Sequence, residues 1–330
     1  MRAARLSIAL EEGGLALPQA GPIAVFRPRA GDDLSALPME RVEVIQGFRP
    51  DHDAFARAGY ATAVAPQGRY GAALICLPRN RDQARGLIAQ AAGLTDGPVV
   101  VDGQKTDGVD GLLRDCRKRA AVSGPVIKAH GKLFWFDAAG VDMADWALAP
   151  GHTPEGFVTL PGVFSADGVD PGSALLGQAL PERMAGRVAD LGAGWGYLSA
   201  QILRREGVRE VHLIEAEHAA LDCARENVRD ARARFHWADV TRFEPPAPFD
   251  IVVSNPPFHS GRDGAPALGA AFIAAAARML APRGALWLVA NRHLPYEAPL
   301  QAAFARIEAM GGDTRYKIIR ATRPRKETRG

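Results

Sequence analysis

One short stretch constrains this chain more than any other: an apolar run that ends in an asparagine and two prolines. It reads Asp250-Ile251-Val252-Val253-Ser254-Asn255-Pro256-Pro257-Phe258-His259. The run is typical of a buried parallel strand, and the prolines end it because proline cannot donate to a sheet ladder. Since open α/β sheets bind ligands at the carboxyl ends of their strands, we predict a functional site at Asn255.

The groups at this corner suit a planar amine. Asn255 offers a side-chain carbonyl as an acceptor, and Pro256, which lacks an N–H, has a carbonyl that can face outward. Phe258 adds a flat apolar face. Together they predict a receptor for a planar group that carries an NH2, such as a nucleobase. An ordinary turn after a strand would use the same residue types.

A glycine-rich motif upstream changes the balance between these two interpretations. The predicted strand Arg187–Ala189 leads into Asp190-Leu191-Gly192-Ala193-Gly194-Trp195-Gly196, and a predicted helix spans Tyr197–Arg205. Glycines let the backbone approach a ligand closely, and the N-terminus of the following helix points at it. This pattern predicts a binding loop at the end of the first strand of the second domain.

Two acidic residues follow at the ends of the next predicted strands. Glu215 comes after Val211–Ile214 and is placed to accept hydrogen bonds from ribose hydroxyls. Asp239, which lies beside the apolar Val240, ends the segment Arg234–Trp237 and can accept from an adenine amino group. NAD enzymes share the glycine loop and the acid, but they have no use for an amine receptor at the fourth strand.

The first 150 residues predict an α/β layer with a parallel sheet, because strand-like and helix-like segments alternate. A glycine-rich nucleotide loop is missing there. The predicted strands are Ile23–Phe26, Val42–Gln46, Ala72–Leu77 and Val99–Asp102, with a further strand from Pro125 to Phe136 bent at Gly131. The predicted helices are Asp51–Ala58, Asp82–Ala92 and Gly111–Ala121.

The length of 330 residues is typical of two domains. Ala149–Pro154 is rich in helix and strand breakers and is the predicted linker, so we divide the chain into domains 1–150 and 151–330. In the second domain a turn-rich segment leads into a predicted helix, Ala174–Ala179.

Composition narrows the class of protein. Apolar residues make up 47% and charged residues 23%, as in soluble globular proteins, and no apolar run is long enough to span a membrane. Nor does the N-terminus resemble a signal peptide. The chain has three widely separated cysteines, which predicts reduced thiols in a cytoplasmic protein and no metal site. They are Cys76, Cys116 and Cys223.

Basic residues are unevenly distributed, although the net charge is only +3. From Arg315 to the end there are seven basic residues against one acid. Two further groups lie in the first half: Arg79, Arg81 and Arg85, and then Arg114, Arg117, Lys118 and Arg119. These groups can contact RNA phosphates, or they can be solvated surfaces, which is the commoner case.

The ordered set of motifs resembles class I S-adenosylmethionine-dependent methyltransferases. The resemblance is greater to the bacterial rRNA guanine-N2 methyltransferases of the RsmC and RlmG type. It covers residues 155–322 and is weaker over 70–120; residues 1–70 match no part of the family. The motifs that carry it are Leu160–Ser165 with Asp170 and Gly172-Ser173, then Ser254–His259, then Val289–Asn291 followed by Leu294–Tyr296.

The resemblance implies two tandem Rossmann-like class I methyltransferase domains, the N-terminal one degenerate and supporting RNA binding. It implies S-adenosylmethionine as the cofactor and a guanine of ribosomal RNA as the substrate, with the small subunit favoured over the large. An assembled or assembling ribosomal subunit is the expected partner, with neither membrane nor metal involved. The chain departs from the family at Trp195, where a small residue is usual, and at Glu215, where aspartate is usual.

The resemblance also assigns roles to residues. The cofactor would contact Asp190, Gly192 and Gly194 in the loop, Glu215 at the ribose, and Asp239 with Val240 at the adenine, while Phe164 and Ser165 close over its methionine end near Asn255. The target guanine would be held by Asn255, Pro256 and Phe258, which carry the chemistry, with Pro257 and His259 as further substrate contacts.

Other activities share parts of the pattern. The Asn-Pro-Pro-aromatic corner also serves adenine-N6 methyltransferases and the glutamine methyltransferases of release factors. A protein that binds RNA as a ribosome assembly factor without turnover is the non-enzyme alternative. An NAD-linked oxidoreductase is a more distant one.

Overall fold

The structure, a computed structural model, describes residues 2–257 and 265–325. The chain divides into two compact units: Met1–Pro150 with Leu160–Gly162, and Gly151–Thr159 with Val163–Gly330. Across the described ranges, no helix has both the length and the apolar character needed to cross a membrane.

The first unit interleaves α-helices with strands, although not in strict alternation. In chain order the elements are α1 (Arg2–Glu11), β1 (Ile23–Phe26), β2 (Val42–Ile45), α2 (Arg49–Arg57), β3 (Ala61–Ala63), β4 (Ala72–Cys76), α3 (Arg81–Leu94), β5 (Pro98–Gln104), α4 (Val109–Cys116), β6 (Ser123–Lys128) and β7 (Gly131–Asp137). They build a seven-stranded sheet in the order β3-β2-β1-β4-β5-β7-β6.

The predicted parallel sheet is only partly right. The five strands β1 to β5 run parallel to one another, whereas β7 is antiparallel to both β5 and β6. The single bent strand predicted over Pro125–Phe136 is wrong, because the chain reverses at Ala129 and His130, whose φ angles are +50° and +56°. Two consecutive positive φ angles make a tight hairpin turn, and neither residue type signals such a turn in the sequence.

The helix α1, which the sequence did not predict, covers this sheet beside β6 and β7. Its Arg5 is 1% exposed, and the guanidinium donates to both oxygens of the fully buried Asp102, from Nε at 2.6 Å and from Nη2 at 3.0 Å. Arg2 donates to the same carboxylate at 2.5 Å. A buried charge is tolerated when it is paired and hydrogen-bonded, so this cluster holds α1 on the sheet.

The second unit repeats the same plan. Its elements are β8 (Gly151–His152), β9 (Val158–Thr159), α5 (Pro171–Ala179), β10 (Arg183–Leu191), α6 (Tyr197–Leu203), β11 (Glu206–Glu215), α7 (His218–Asn227), β12 (Ala233–Trp237), β13 (Phe249–Ser254), α8 (Ala265–Met279), β14 (Leu280–Asn291), α9 (Glu297–Ala303), β15 (Phe304–Gly312) and β16 (Tyr316–Pro324). The segment predicted as a plain linker contains β8, which pairs with β9 in a small hairpin.

The second seven-stranded sheet has the order β12-β11-β10-β13-β14-β16-β15. β10 to β14 are parallel, and β16 is antiparallel to β14 and β15. Apolar side chains cover both faces, so the parallel strands are buried as expected for such sheets. The prediction of an α/β fold with two tandem Rossmann-like domains is confirmed, and the carboxyl ends of β10, β11, β12 and β13 lie side by side at one edge.

Candidate functional site

The glycine loop follows β10 directly, as predicted. Gly192, Gly194 and Gly196 have φ angles of +73°, +54° and +93°, a region that disfavours other residues. A Cβ on Gly196 would also lie 2.9 Å from the Val228 side chain. The loop therefore needs glycine both for its conformation and for its close approach to α7, and it turns the chain straight into α6.

Asp190 lies at the base of this loop and is completely buried. Ser199 of α6 donates to its Oδ2 at 2.7 Å, whereas its Oδ1 has no hydrogen-bond partner. Burial, with a smaller contribution from the nearby Glu215 carboxylate, raises the pKa of Asp190 to about 7. Buried polar atoms are nearly always hydrogen-bonded in native proteins, so an orphan carboxylate oxygen marks a place where a ligand group can bind.

Glu215, at the end of β11, organises the loop from the neighbouring strand. Its Oε2 accepts from the Gly194 N–H at 2.8 Å, and its Oε1 accepts from the Glu217 N–H at 2.7 Å. Burial raises the pKa of Glu215. The longer arm of glutamate, compared with the usual aspartate, therefore reaches the backbone of the glycine loop.

Asp239 and Val240 follow β12 one strand further along the edge. The Asp239 Oδ1 accepts from the backbone N–H and the hydroxyl of Thr241 at 2.9 and 2.7 Å, while its Oδ2 lies 3.9 Å from Arg242 Nε. Val240 is 3% exposed and joins the core. Asp239 thus fixes its own turn and keeps one oxygen for another partner.

Asn255, directly after β13, has its side-chain amide clamped by two residues at the start of α5. Its Nδ2 donates to Asp170 Oδ2 and to Ser173 Oγ, both at 2.8 Å. Asp170 is also the N-cap of α5, since the same oxygen accepts from the Ser173 N–H at 2.8 Å. Both N–H bonds of the amide are therefore occupied, and the orientation of its carbonyl is fixed.

The clamp leaves Asn255 Oδ1 buried and without a hydrogen-bond partner. Pro256 is buried and Pro257 exposed, and no donor to the Pro256 carbonyl is found within 2–257 and 265–325. Phe258 and His259 lie outside the described residues. The strand end thus presents acceptors with no protein donor, as an amine receptor requires.

Phe164 and Ser165 approach the loop through Trp195. The Trp195 indole N–H donates to the Phe164 carbonyl at 3.0 Å, and its ring packs on Phe157 with a centroid distance of 5.0 Å. The Phe164 side chain is 49% exposed, and Ser165 has a φ of +53° while its hydroxyl donates to Gly168 O at 2.8 Å. Trp195 therefore anchors this segment to the glycine loop.

One cleft brings five of the predicted residues together: Phe164, Ser165, Gly192, Gly194 and Asn255. Asp190 precedes the glycines and does not line this cleft, and neither do Glu215, Asp239 and Val240 at the adjoining strand ends. The sequence interpretation left Asp170, Ser173, Trp195 and Tyr197 out of the site, although all four line the cleft. The helix-start pattern Asp-Pro-Gly-Ser was a usable signal for the first two. In the described part of the chain, no three His, Cys, Asp or Glu side chains lie close enough together to hold a metal ion.

This chain is similar to known proteins. The methyltransferase small domain family model matches residues 155–320. Ribosomal RNA small subunit methyltransferase C of Alcanivorax borkumensis is 31% identical over 279 residues, covering 78% of this chain and 83% of the relative. The protein of that name from Shewanella sp. (strain MR-4) is 29% identical over 284 residues, covering 82% of each chain.

One solved structure extends the similarity over both units. The Thermus thermophilus 16S rRNA N2 G1207 methyltransferase, in complex with AdoMet and guanosine, has a TM-score of 0.79 and 25% sequence identity. The match covers 98% of this chain and 91% of that one. Ribosomal RNA large subunit methyltransferase G of Streptomyces avermitilis is 35% identical over 167 residues, covering 49% of this chain and 44% of the relative.

Proposed function

Because this chain belongs to the methyltransferase small domain family, and is similar to small subunit methyltransferase C proteins over most of its length, we propose that it methylates the exocyclic N2 amine of a guanine in ribosomal RNA with S-adenosylmethionine. Small subunit rRNA is the favoured substrate, since most of the similar proteins are named for it. The enzyme acts in the cytoplasm on an assembled or assembling subunit.

The observation that carries this function is the clamped Asn255. Asp170 and Ser173 each accept one N–H bond of its amide. The orientation of the amide is therefore fixed, and the buried Oδ1 is left as an acceptor without a partner. A substrate amine is a donor that fits this atom. The Pro256 carbonyl is the second acceptor, and together the two hold both N–H bonds of the amine and leave its lone pair available to the methyl group.

The residues of the cleft also fit the cofactor. The orphan Oδ1 of Asp190 suits a cationic or N–H-bearing group, and the glycine loop allows the backbone to lie against a ligand. Glu215 and Asp239 follow at the next strand ends, in the order expected for ribose and adenine contacts. S-adenosylmethionine supplies an electrophilic methyl group on a sulfonium, and its departure leaves a neutral thioether.

The chain's own task is therefore to prepare the nitrogen. Its lone pair is delocalised into the guanine ring, and acceptors on both N–H bonds favour a pyramidal amine. Positive charge develops on that nitrogen as the N–C bond forms and the S–C bond breaks, and the fixed acceptor dipoles stabilise it. The excess proton then passes to water. No charged residue is required as a base, and the acceptors contribute orientation as well as electrostatic stabilisation.

The target base must leave its stack before it can enter a pocket at the strand ends, which favours an unpaired or flipped guanine as the substrate. The first unit supports this by binding RNA. Arg81 and Arg85 are paired with Asp115 at 2.7 and 2.9 Å, and Arg119 with Asp145 at 2.6 Å, so these three are not free for phosphates. Other exposed cations form no ion pair within the described ranges and remain candidates: Arg79, Arg114, Arg117 and Lys118.

The experiment that tests this function is transfer of radiolabelled methyl groups to small and large ribosomal subunits from a strain that lacks the gene. The products are digested to nucleosides. Label in N2-methylguanosine from the small subunit is the expected result. Label in N6-methyladenosine or in protein contradicts the assignment of the substrate, and cofactor binding without any transfer favours the assembly-factor alternative.

Trp195 gives a test of the cofactor end of the cleft. Trp195→Phe keeps an aromatic ring but removes the N–H that holds the Phe164 carbonyl, a hydrogen bond worth about 1 kcal/mol. We expect the Kd for S-adenosylmethionine, measured by calorimetry, to rise about 5-fold. Trp287→Phe, a core substitution in the same unit, is the control and should lower the melting temperature without changing this Kd. An unchanged Kd in Trp195→Phe contradicts the anchoring role.

A further inference from the structure

A second cavity opens in the second unit between α9 and the β15–β16 hairpin, and the site described above does not use it. Its volume is about 720 Å³, within the ~300–1,000 Å³ range of small-molecule sites. Its floor is apolar, formed by Leu300, Ile307 and Ile319, and Gln301 and Arg292 line its polar part. Ile307 is 37% exposed, so this surface is open to a partner with a flat apolar face.

Arg292 is held rigidly at this cavity. Its backbone N–H donates to Arg315 O at 2.9 Å, and its Nε donates to the carbonyl of Asp313. Asp313 in turn fixes the hairpin turn, accepting at Oδ1 from the N–H groups of Arg315 and Tyr316 at 2.8 and 2.7 Å. The guanidinium is thus oriented by backbone groups, and its terminal nitrogens have no partner within residues 2–257 and 265–325.

The other cation of the cavity is already neutralised. Lys317 Nζ lies 2.5 Å from Glu297 Oε1 and 3.0 Å from Leu294 O, and its side chain is 15% exposed. Arg292 forms no ion pair among the described residues, although its charge helps to lower the pKa of the nearby Asp313 carboxylate. A pre-oriented guanidinium suits a phosphate, and the adjacent apolar floor with its amide suits a base.

The cavity opens at the same edge of the sheet as Asn255. Arg292 directly follows β14, the strand next to β13, and the cavity spans β16 and β15, the next two. At the usual strand spacing this places it about 10–14 Å along the edge from the end of β13.

We infer that this cavity binds a nucleotide of the RNA that flanks the target guanine, with its phosphate on Arg292 and its base against Ile307 and Ile319. The inference rests on the proposed function and extends it from the target base to the neighbouring RNA. It gives the flipped guanine a second point of attachment, so that specificity depends on the adjacent nucleotide as well.

Equilibrium binding tests the inference separately from turnover. A fluorescently labelled RNA stem–loop with one unpaired guanine is titrated in the presence of S-adenosylhomocysteine, so that no methyl transfer occurs. Arg292→Ala should weaken binding about 10-fold or more and reduce the slope of log K against log salt by about 0.7, as for one lost phosphate contact. Arg292→Lys should restore part of both effects. Arg283→Ala, an exposed arginine near the other end of β14, should change neither.

A cavity-filling variant checks the base-binding part. Ala309→Trp places a large ring in the cavity without removing a charge, and we expect it to weaken RNA binding as much as Arg292→Ala while the salt slope stays the same.

Equal RNA affinity in wild type, Arg292→Ala and Ala309→Trp overturns the inference. Loss of activity on intact subunits with unchanged binding of naked RNA also overturns it and indicates a ribosomal protein as the occupant. If wild type binds the RNA tightly but transfers no methyl group when S-adenosylmethionine replaces S-adenosylhomocysteine, the proposed function is contradicted instead.

Discussion

Replacing Asn255 with alanine is expected to lower kcat for methyl transfer about 10²–10³-fold at saturating cofactor, by analogy with the loss of one preorganised oxyanion-hole donor. The variant removes the Oδ1 acceptor that the clamp leaves without a partner. The amine then loses one of the two groups that favour its pyramidal form and stabilise its developing charge. The measurement is single-turnover transfer to ribosomal subunits.

The clamp supplies the matched control for this experiment. Ser173→Ala removes one of the two acceptors of the Asn255 amide but keeps Asp170, which also bonds it at 2.8 Å. We expect a decrease of only about 10-fold, the value of one hydrogen bond that positions rather than contacts the substrate. If Asn255→Ala keeps most of its activity, or if Ser173→Ala loses more than Asn255→Ala, the acceptor role is wrong.

Asp190→Asn is expected to weaken binding of the cofactor and yet to stabilise the free protein at alkaline pH. The folded pKa of Asp190, about 7, is above its ordinary value of 3.8, so the unfolded chain loses this proton first. The free energy of unfolding therefore falls as the pH rises from about 4 to about 7. The difference between the two pKa values corresponds to roughly 4 kcal/mol above pH 7, which asparagine avoids because it carries no charge.

The opposite trend is expected for the cofactor, because a cationic ligand group favours the ionised carboxylate. The affinity of the wild-type protein for S-adenosylmethionine should rise as the pH increases through about 7, and that of Asp190→Asn should be lower and independent of pH. Melting temperatures and calorimetric titrations from pH 5 to pH 8.5 give both trends. Asp167→Asn, at an exposed position, is the control. A constant difference in melting temperature between wild type and Asp190→Asn across this range would contradict the burial argument.

The sequence predicted well the elements whose signal is local. The strand that ends at Asn255 was predicted from Asp250 and observed as Phe249–Ser254, because an apolar run that meets two prolines has few alternatives. The glycine loop was equally clear, since Gly192, Gly194 and Gly196 all require positive φ. These features specify where a ligand can bind, and they needed no knowledge of distant parts of the chain.

What the sequence could not predict depends on contacts between distant residues. Asn255 bonds Asp170 and Ser173 across more than 80 positions, and no local pattern says which atom of an amide remains free. The hydrogen bond from the Gly194 N–H to Glu215 is equally hidden from a local pattern. So is the bond from the Trp195 indole N–H to the Phe164 carbonyl, 31 residues away. The helix α1 packs Leu6 and Ala9 into the core, but its third buried residue is Arg5, whose partner Asp102 lies 97 positions away and is invisible in the local pattern.

The two units of this chain are copies of one fold, but the buried polar atoms named above are hydrogen-bonded differently in each copy. The helix that packs beside the antiparallel end of the sheet is α1 in the first copy and α5 in the second. In the first copy it closes a fully paired carboxylate, Asp102, whereas the second copy keeps unsatisfied oxygens on Asp190 and Asn255. The second copy therefore carries buried acceptors at its strand ends that cost stability until a ligand group donates to them.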